Sequence, residues 1–145
     1  MSFFDALRAS ASGLNAQSLR MKLISGNLAN MHTTRTPDGG PYRRKEAVFA
    51  AQEANTTFKD ILAAQRLGEM EEVQAVAIVQ DERDPIYKYD PDHPDADENG
   101  RVAYPNISLA EEMVDLITAT RSYEANVAAI KATKSMVMKA LEIGR

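Results

Sequence analysis

Two histidines, one acidic loop and one basic triplet are the places in this chain where chemistry could be seated. His32 stands alone, and His93 stands between Asp92 and Pro94. Neither has a second His three or four residues away, the spacing that points two imidazoles at one metal. The 145 residues contain no Cys, which removes a disulfide framework and any Cys-based metal site. Asp95-Ala96-Asp97-Glu98-Asn99-Gly100 matches the opening of a calcium-binding loop. Its twelfth position, however, falls on Asn106 instead of a bidentate Glu, and Pro91 and Pro94 block an incoming helix. A loop braced by Asx-turns is the better expectation. No nucleophile-elbow sequence is present, and Gly39-Gly40 reads as a turn before a strand, not as a phosphate cradle. No catalytic residue, cofactor or metal is therefore expected, and the chain is read as not an enzyme.

Charge narrows the partners. The formal net charge of −4 divides unevenly: residues 1–45 hold seven bases and two acids, 46–106 five bases and fourteen acids, and 107–145 five of each. Arg43-Arg44-Lys45 is the tight basic cluster, read as a solvated or partner-facing turn, and no nucleic-acid partner is expected. No run reaches the eighteen apolar residues of a spanning helix, so no direct membrane insertion is expected. The first residues lack a basic n-region, and Asp5 and Arg8 interrupt any signal-peptide core, which predicts a protein either cytoplasmic or exported by a route that needs no cleaved signal.

The elements that must position anything are helical at both ends. Leu7, Leu14, Met21 and Leu28 recur every seven residues, joined by Phe4, Ala11, Ser18 and Ser25. Ser2 with Asp5 is a variant capping box that starts this helix. Three of its eight seam positions are Ala or Ser, and Gly13 and Gly26 each weaken it by about 1 kcal/mol, so it is not expected to stand alone. The second stripe runs through Leu109, Met113, Leu116, Thr120, Tyr123, Val127, Ile130, Val137 and Leu141, with Lys134 breaking its phase. Ser108-Leu109-Ala110-Glu111 is a full capping box, Glu111 and Glu112 sit at the positive end, and Gly144 is placed as a stop. Thirty-five residues of helix span about 52 Å, more than a small insert could cover. Asn30 reads as a C-cap, whereas Asn27 and Asn126 sit where Ala would suit a helix better. Those two are read either as register-fixing interhelical residues or as exposed ones.

Between the ends, residues 31–41 form a loop with a turn at Pro37-Asp38-Gly39. Strands are predicted over Tyr42–Ala51, Val73–Val79 and Ile86–Tyr89, the last paired back by Arg101–Tyr104, with a short helix from Thr57. The expected class is α+β: two long terminal helices in an antiparallel coiled-coil-like pair, with a small β-rich insert. Residues 1–30 and 107–145 make the helical unit and 31–106 the insert.

Ala9-Ser10-Ala11-Ser12-Gly13-Leu14-Asn15-Ala16-Gln17 with Ser25-Gly26-Asn27-Leu28-Ala29-Asn30 resembles the N-terminal signature of bacterial flagellar rod and hook proteins. Arg121-Ser122-Tyr123-Glu124-Ala125-Asn126-Val127 with Lys134-Ser135-Met136 resembles their C-terminal one. The middle, through Asp38–Lys45, Tyr89–Asp97 and Gly100–Asn106, is similar to the proximal rod group of that axial family. The resemblance implies a structural subunit of the basal-body proximal rod, whose terminal helices assemble into the tubular drive shaft. It implies as partners the other proximal rod proteins, an export-gate/basal-body adaptor protein, a distal rod protein and copies of itself. It also implies type III export and a place in the periplasmic space. Leu7, Leu14, Met21, Asn27, Leu28, Asn30, Met113, Leu116, Tyr123, Asn126, Val127, Ile130, Val137 and Leu141 are the expected assembly and packing residues. The rival readings are a soluble helical-hairpin adaptor that binds one partner without polymerising, and a small enzyme or calcium module built on the insert.

Overall fold

The computed structural model describes residues 3–53 and 71–143 of the chain. Two helices dominate it, α1 over Phe3–Ala29 and α2 over Leu109–Ile143. Four strands lie between them: β1 Lys45–Glu53, β2 Glu71–Gln80, β3 Ile86–Tyr89 and β4 Arg101–Tyr104. β1 pairs antiparallel with β2, and β3 with β4, as two separate two-stranded ladders. The architecture is α+β, as helical periodicity at the ends and alternation in the middle predict. The short helix expected from Thr57, and the start and stop signals at Ser2 and Gly144, lie outside the described residues.

Side-chain chemistry sets the element boundaries. Ser108 caps α2: its Oγ accepts the Glu111 N–H at 3.5 Å and its carbonyl the Glu112 N–H at 3.0 Å. Asn30 closes α1 differently from the expected left-handed C-cap, because no described non-glycine residue has positive φ. Its Nδ2 instead donates at 2.8 Å to the Gly26 carbonyl, which also accepts the Asn30 N–H at 3.1 Å, so both donors of Asn30 close the last turn. Pro37 then occupies a tight turn closed by the Gly39 N–H on the Thr36 carbonyl at 3.0 Å, with Gly39 and Gly40 at φ 88° and 76°. β1 begins at Lys45, later than the expected Tyr42, because Tyr42 and Arg44 turn toward the helices.

α1 crosses the β1–β2 hairpin and holds it at two places. The Asn27 side-chain amide pairs with the Lys45 backbone as a neighbouring strand would, accepting its N–H at 2.9 Å and donating to its carbonyl at 3.0 Å. Fifteen residues earlier, about 22 Å along the helix, Ser12 Oγ accepts the Val73 N–H at 3.1 Å. Arg8 and Glu72 form an ion pair alongside at 3.0 Å.

The two helices run antiparallel in a fixed register. Asn27 meets Glu112 and Gly13 meets Asn126, so the two meeting points lie two heptads apart on each helix. A Cβ on Gly13 would stand 2.9 Å from Asn126 Nδ2, so glycine permits the close approach there. The more buried side of α2 follows Glu112, Ala119, Asn126 and Thr133, one residue behind the expected Met113–Thr120–Val127 line. Lys134, expected to break the seam, is exposed beside it. Small and polar residues bring the backbones together, and larger apolar ones are left outward. Among the described residues the buried apolar side chains are accordingly few: Ala16, Ile24, Val102, Pro105, Ile107 and Ala119.

Candidate functional site

Two of the most enclosed side chains of the described residues are polar. Asn27 is 1 % exposed and Glu112 0 % exposed, and they touch where α1, the root of β1 and the start of α2 converge. Asn27 Nδ2 donates to Glu112 Oε2 at 3.1 Å, and Tyr42 donates its hydroxyl to Asn27 Oδ1 at 3.2 Å. Glu112 Oε1 accepts from Arg44 Nε. The same guanidinium reaches Glu46 at 2.9 Å and Asp115 at 3.3 Å, and Asp115 also receives Arg20 at 3.3 Å. α1 contributes Arg20 and Asn27, the insert contributes Tyr42, Arg44, Lys45 and Glu46, and α2 contributes Glu112 and Asp115.

Electrostatics follow from that enclosure. Burial, then the Glu112 carboxylate, pushes the Tyr42 phenol above its ordinary value, so it stays a neutral donor. Burial alone would lower the Arg44 guanidinium, but its bonds and charge contacts with Glu112 and Glu46 outweigh this and hold it above its usual range. An open cleft of about 140 Å³ lies beside the cluster, between Leu23, Ile24 and Phe49 and the Arg20–Asp115 pair. Its arginines already face carboxylates, so it presents no unmatched charge to a ligand. Such a cluster positions three elements against one another; it offers no free base, acid or nucleophile.

This clasp is what the sequence reading missed. Arg44 is not a solvated turn residue: its side chain is 16 % exposed and points into the subunit. Glu112 was assigned to the helix dipole, yet it lies seven and fourteen residues before Ala119 and Asn126, and that phase is the signal that could have found it. Asn27 proves to be the interhelical alternative, and Asn126 rests half-buried on Gly13.

The other expected assembly residues lie outside the clasp. Leu7, Leu14, Met21 and Leu28 are half-buried along one side of α1, as are Leu116, Tyr123, Val127, Ile130 and Val137 on α2. Asn30 is half-buried at its cap, while Met113 and Leu141 are exposed. The insert loop is braced by local bonds and by Thr34. Asp97 Oδ1 accepts the N–H groups of Asn99 and Arg101, both at 2.8 Å, as an Asx-braced loop should. The Arg101 N–H is the main reason the Asp97 carboxyl lies below its ordinary value. Asp95 accepts from Thr34 at 2.8 Å, and His93 Nδ1 accepts the Asp95 N–H at 3.1 Å. No helix among the described residues is long and apolar enough to cross a membrane, and no acidic or histidine group there could hold a metal ion.

Comparison with known proteins places these features. Residues 7–35 match the family model described as flagella basal body rod protein, and 98–143 match that of the flagellar basal body rod FlgEFG protein C-terminal. The chain is 46 % identical to the flagellar basal-body rod protein FlgC of Bacillus subtilis, covering 100 % of both. It is 44 % identical to that of Borreliella burgdorferi over 99 % of this chain and 98 % of the relative. With the Salmonella typhimurium protein it shares 34 % over 100 % of each. Two terminal helices locked in register by a polar clasp thus sit in the regions that the family models match, and the chain belongs to the FlgC family of flagellar basal-body rod proteins.

Proposed function

We propose that this chain is a structural subunit of the proximal rod, built into the tubular drive shaft through its two terminal helices. Residues 1–30 and 107–145 act as the tube-forming unit, and 31–106 as an insert that the clasp holds at a set angle. The observation that carries this reading is the apolar surface left on α2. Leu109, Met113, Val114, Ile117, Met136, Met138 and Leu141 remain exposed along one helix, more than an isolated soluble subunit leaves without a partner. The rod surroundings supply those partners: other proximal rod proteins, copies of this chain, an export-gate/basal-body adaptor at one end and a distal rod protein at the other. The subunit works in the periplasmic space, reached through the flagellar type III route. The small apolar core suits a chain that travels unfolded and orders on assembly. Its role is mechanical, with no catalytic step.

The test is substitution on the half-buried stripes, away from the clasp. Leu14→Asp and Val127→Asp should each abolish swimming and rod assembly while export of the chain continues. Normal swimming by both variants would overturn the reading and favour the single-partner adaptor.

A further inference from the structure

Among the asparagines of this chain only Asn99 stands before a glycine; the others precede Ala16, Leu28, Met31, Thr56, Ile107 and Val127. Asparagine is chemically labile because the next backbone nitrogen lies within reach of its side-chain carbonyl carbon. A side chain on the following residue shields that nitrogen, and glycine has none. Structure sharpens the contrast. Asn15, Asn27 and Asn126 lie in helices, where the following N–H is bonded to the turn before it. Asn99 is exposed to water in the loop between β3 and β4.

That loop restrains the reacting atoms. Asp97 to Gly100 form a tight turn closed by the Gly100 N–H on the Asp97 carbonyl at 2.9 Å. Asp at its first place and Gly at its fourth are the residues such a turn favours. Asp97 Oδ1 accepts the Asn99 and Arg101 N–H groups, and Asp97 Oδ2 meets the Arg101 guanidinium at 3.3 Å. The Asp97 N–H donates in turn to the Arg101 carbonyl at 2.8 Å. Gly100 itself is not replaceable: its φ is 70°, and a Cβ there would stand 3.1 Å from Tyr89 Cε2 and 3.2 Å from Pro91 Cβ. The glycine that leaves Asn99 vulnerable is thus one the loop requires.

We propose that Asn99 is a site of spontaneous deamidation and that Asp97 is the brake the folded loop places on it. The Gly100 nitrogen, released from the Asp97 carbonyl by local opening of the turn, loses its proton and attacks Asn99 Cγ. The N–Cγ bond forms, the Cγ–Nδ2 bond breaks, and ammonia leaves with that proton as a succinimide ring closes. Water then opens the ring on either side, leaving an aspartate or an isoaspartate at position 99. Water is the sole co-reactant, and nothing is oxidised or reduced. Either product adds a negative charge beside Glu98 and the Asp97–Arg101 pair. Isoaspartate also lengthens the backbone by a methylene. That displaces the Gly100 carbonyl from the Asp90 N–H, now 2.9 Å away, and Gly100 from beneath the Tyr89 ring.

The full chain is incubated at mildly alkaline pH, folded or in guanidinium chloride, and peptides spanning position 99 are followed by mass spectrometry. The readout is the amide-to-acid mass gain, with aspartate and isoaspartate separated by chromatography. Conversion at Asn99 should be several-fold faster in denaturant than in the folded chain, give both products and rise with pH. In the folded chain Asp97→Ala should raise the rate several-fold, with far-UV circular dichroism like that of the wild type. Asp97→Asn, which keeps the acceptor oxygen, should stay close to wild type, and Asn99→Gln, whose ring closes far less readily, should not convert. Should Asp97→Ala lose its fold, the comparison of folded and denatured wild type decides alone. Equal rates in those two states, or in folded wild type and folded Asp97→Ala, would overturn the brake and with it the proposal. Asn99 unchanged in denaturant, or another asparagine converting faster there, would overturn the site.

Discussion

At the scale of single residues, the clasp shows how unequal two neighbouring carboxylates can be. Glu112 is fully enclosed and answers both Asn27 and Arg44, whereas Asp115, one turn along, meets Arg20 and Arg44 at a half-exposed edge. Removing Glu112 takes the most enclosed partner from both Arg44 and Asn27, which keep Glu46, Asp115 and the Lys45 carbonyl, a loss of about 1–3 kcal/mol. Removing Asp115 costs about 0–1 kcal/mol, since exposed pairs are screened and mobile. Urea unfolding of the purified chain should therefore rank Glu112→Ala below Asp115→Ala in stability, with Glu112→Gln between them. Equal losses in the two alanine variants would remove the special standing of Glu112. The value of such a group lies in register more than in strength, because a well-packed apolar replacement can match a buried pair energetically. Asn27 adds to that role by imitating a strand, fixing where β1 begins.

At the scale of elements, the helix pair is closed by its smallest residues. Gly13 lets Asn126 approach, and Ala119 is wholly buried where no larger side chain has room. Ala119→Leu should cost about 1–3 kcal/mol through overpacking and reduce incorporation into rods. Thr120→Leu, one residue on and exposed, should be tolerated by the isolated chain. Thermal melting of the two variants side by side checks the phase of the seam; a more damaging Thr120→Leu would return it to the Met113–Thr120–Val127 line. The insert hairpin is a dependent element. A two-stranded ladder is marginal alone, and it is held by Asn27, Ser12 and the Arg8–Glu72 pair.

At the scale of the whole molecule, stability and exposure are distributed to opposite ends. The clasp and the buried Ile24, Ile107 and Ala119 gather around the start of α2, while its last two turns project without cover. Local opening should follow that gradient. Hydrogen exchange of the isolated chain should be slowest around Ile24 and Ala119 and fast over residues 137–143, with that last stretch becoming protected in assembled rods. Uniform protection along α2 in the free chain would argue against assembly-dependent ordering.

The amino-acid sequence determined the α+β class, both long helices, the Ser108 cap, the Pro37 turn and the β3–β4 pair, because each depends on nearby residues, whereas the pairing of β1 with β2 joins residues up to 35 positions apart. It also carried the axial-family signatures at both ends. Only the tertiary structure decided which side of each helix closes the pair, since Leu and Met stripes suit a neighbouring subunit as well as a helix of the same chain. Nor could Arg44 and Glu112 be told from surface charges by type or local spacing. They lie 68 residues apart, and their burial exists only once β1 and both helices have met.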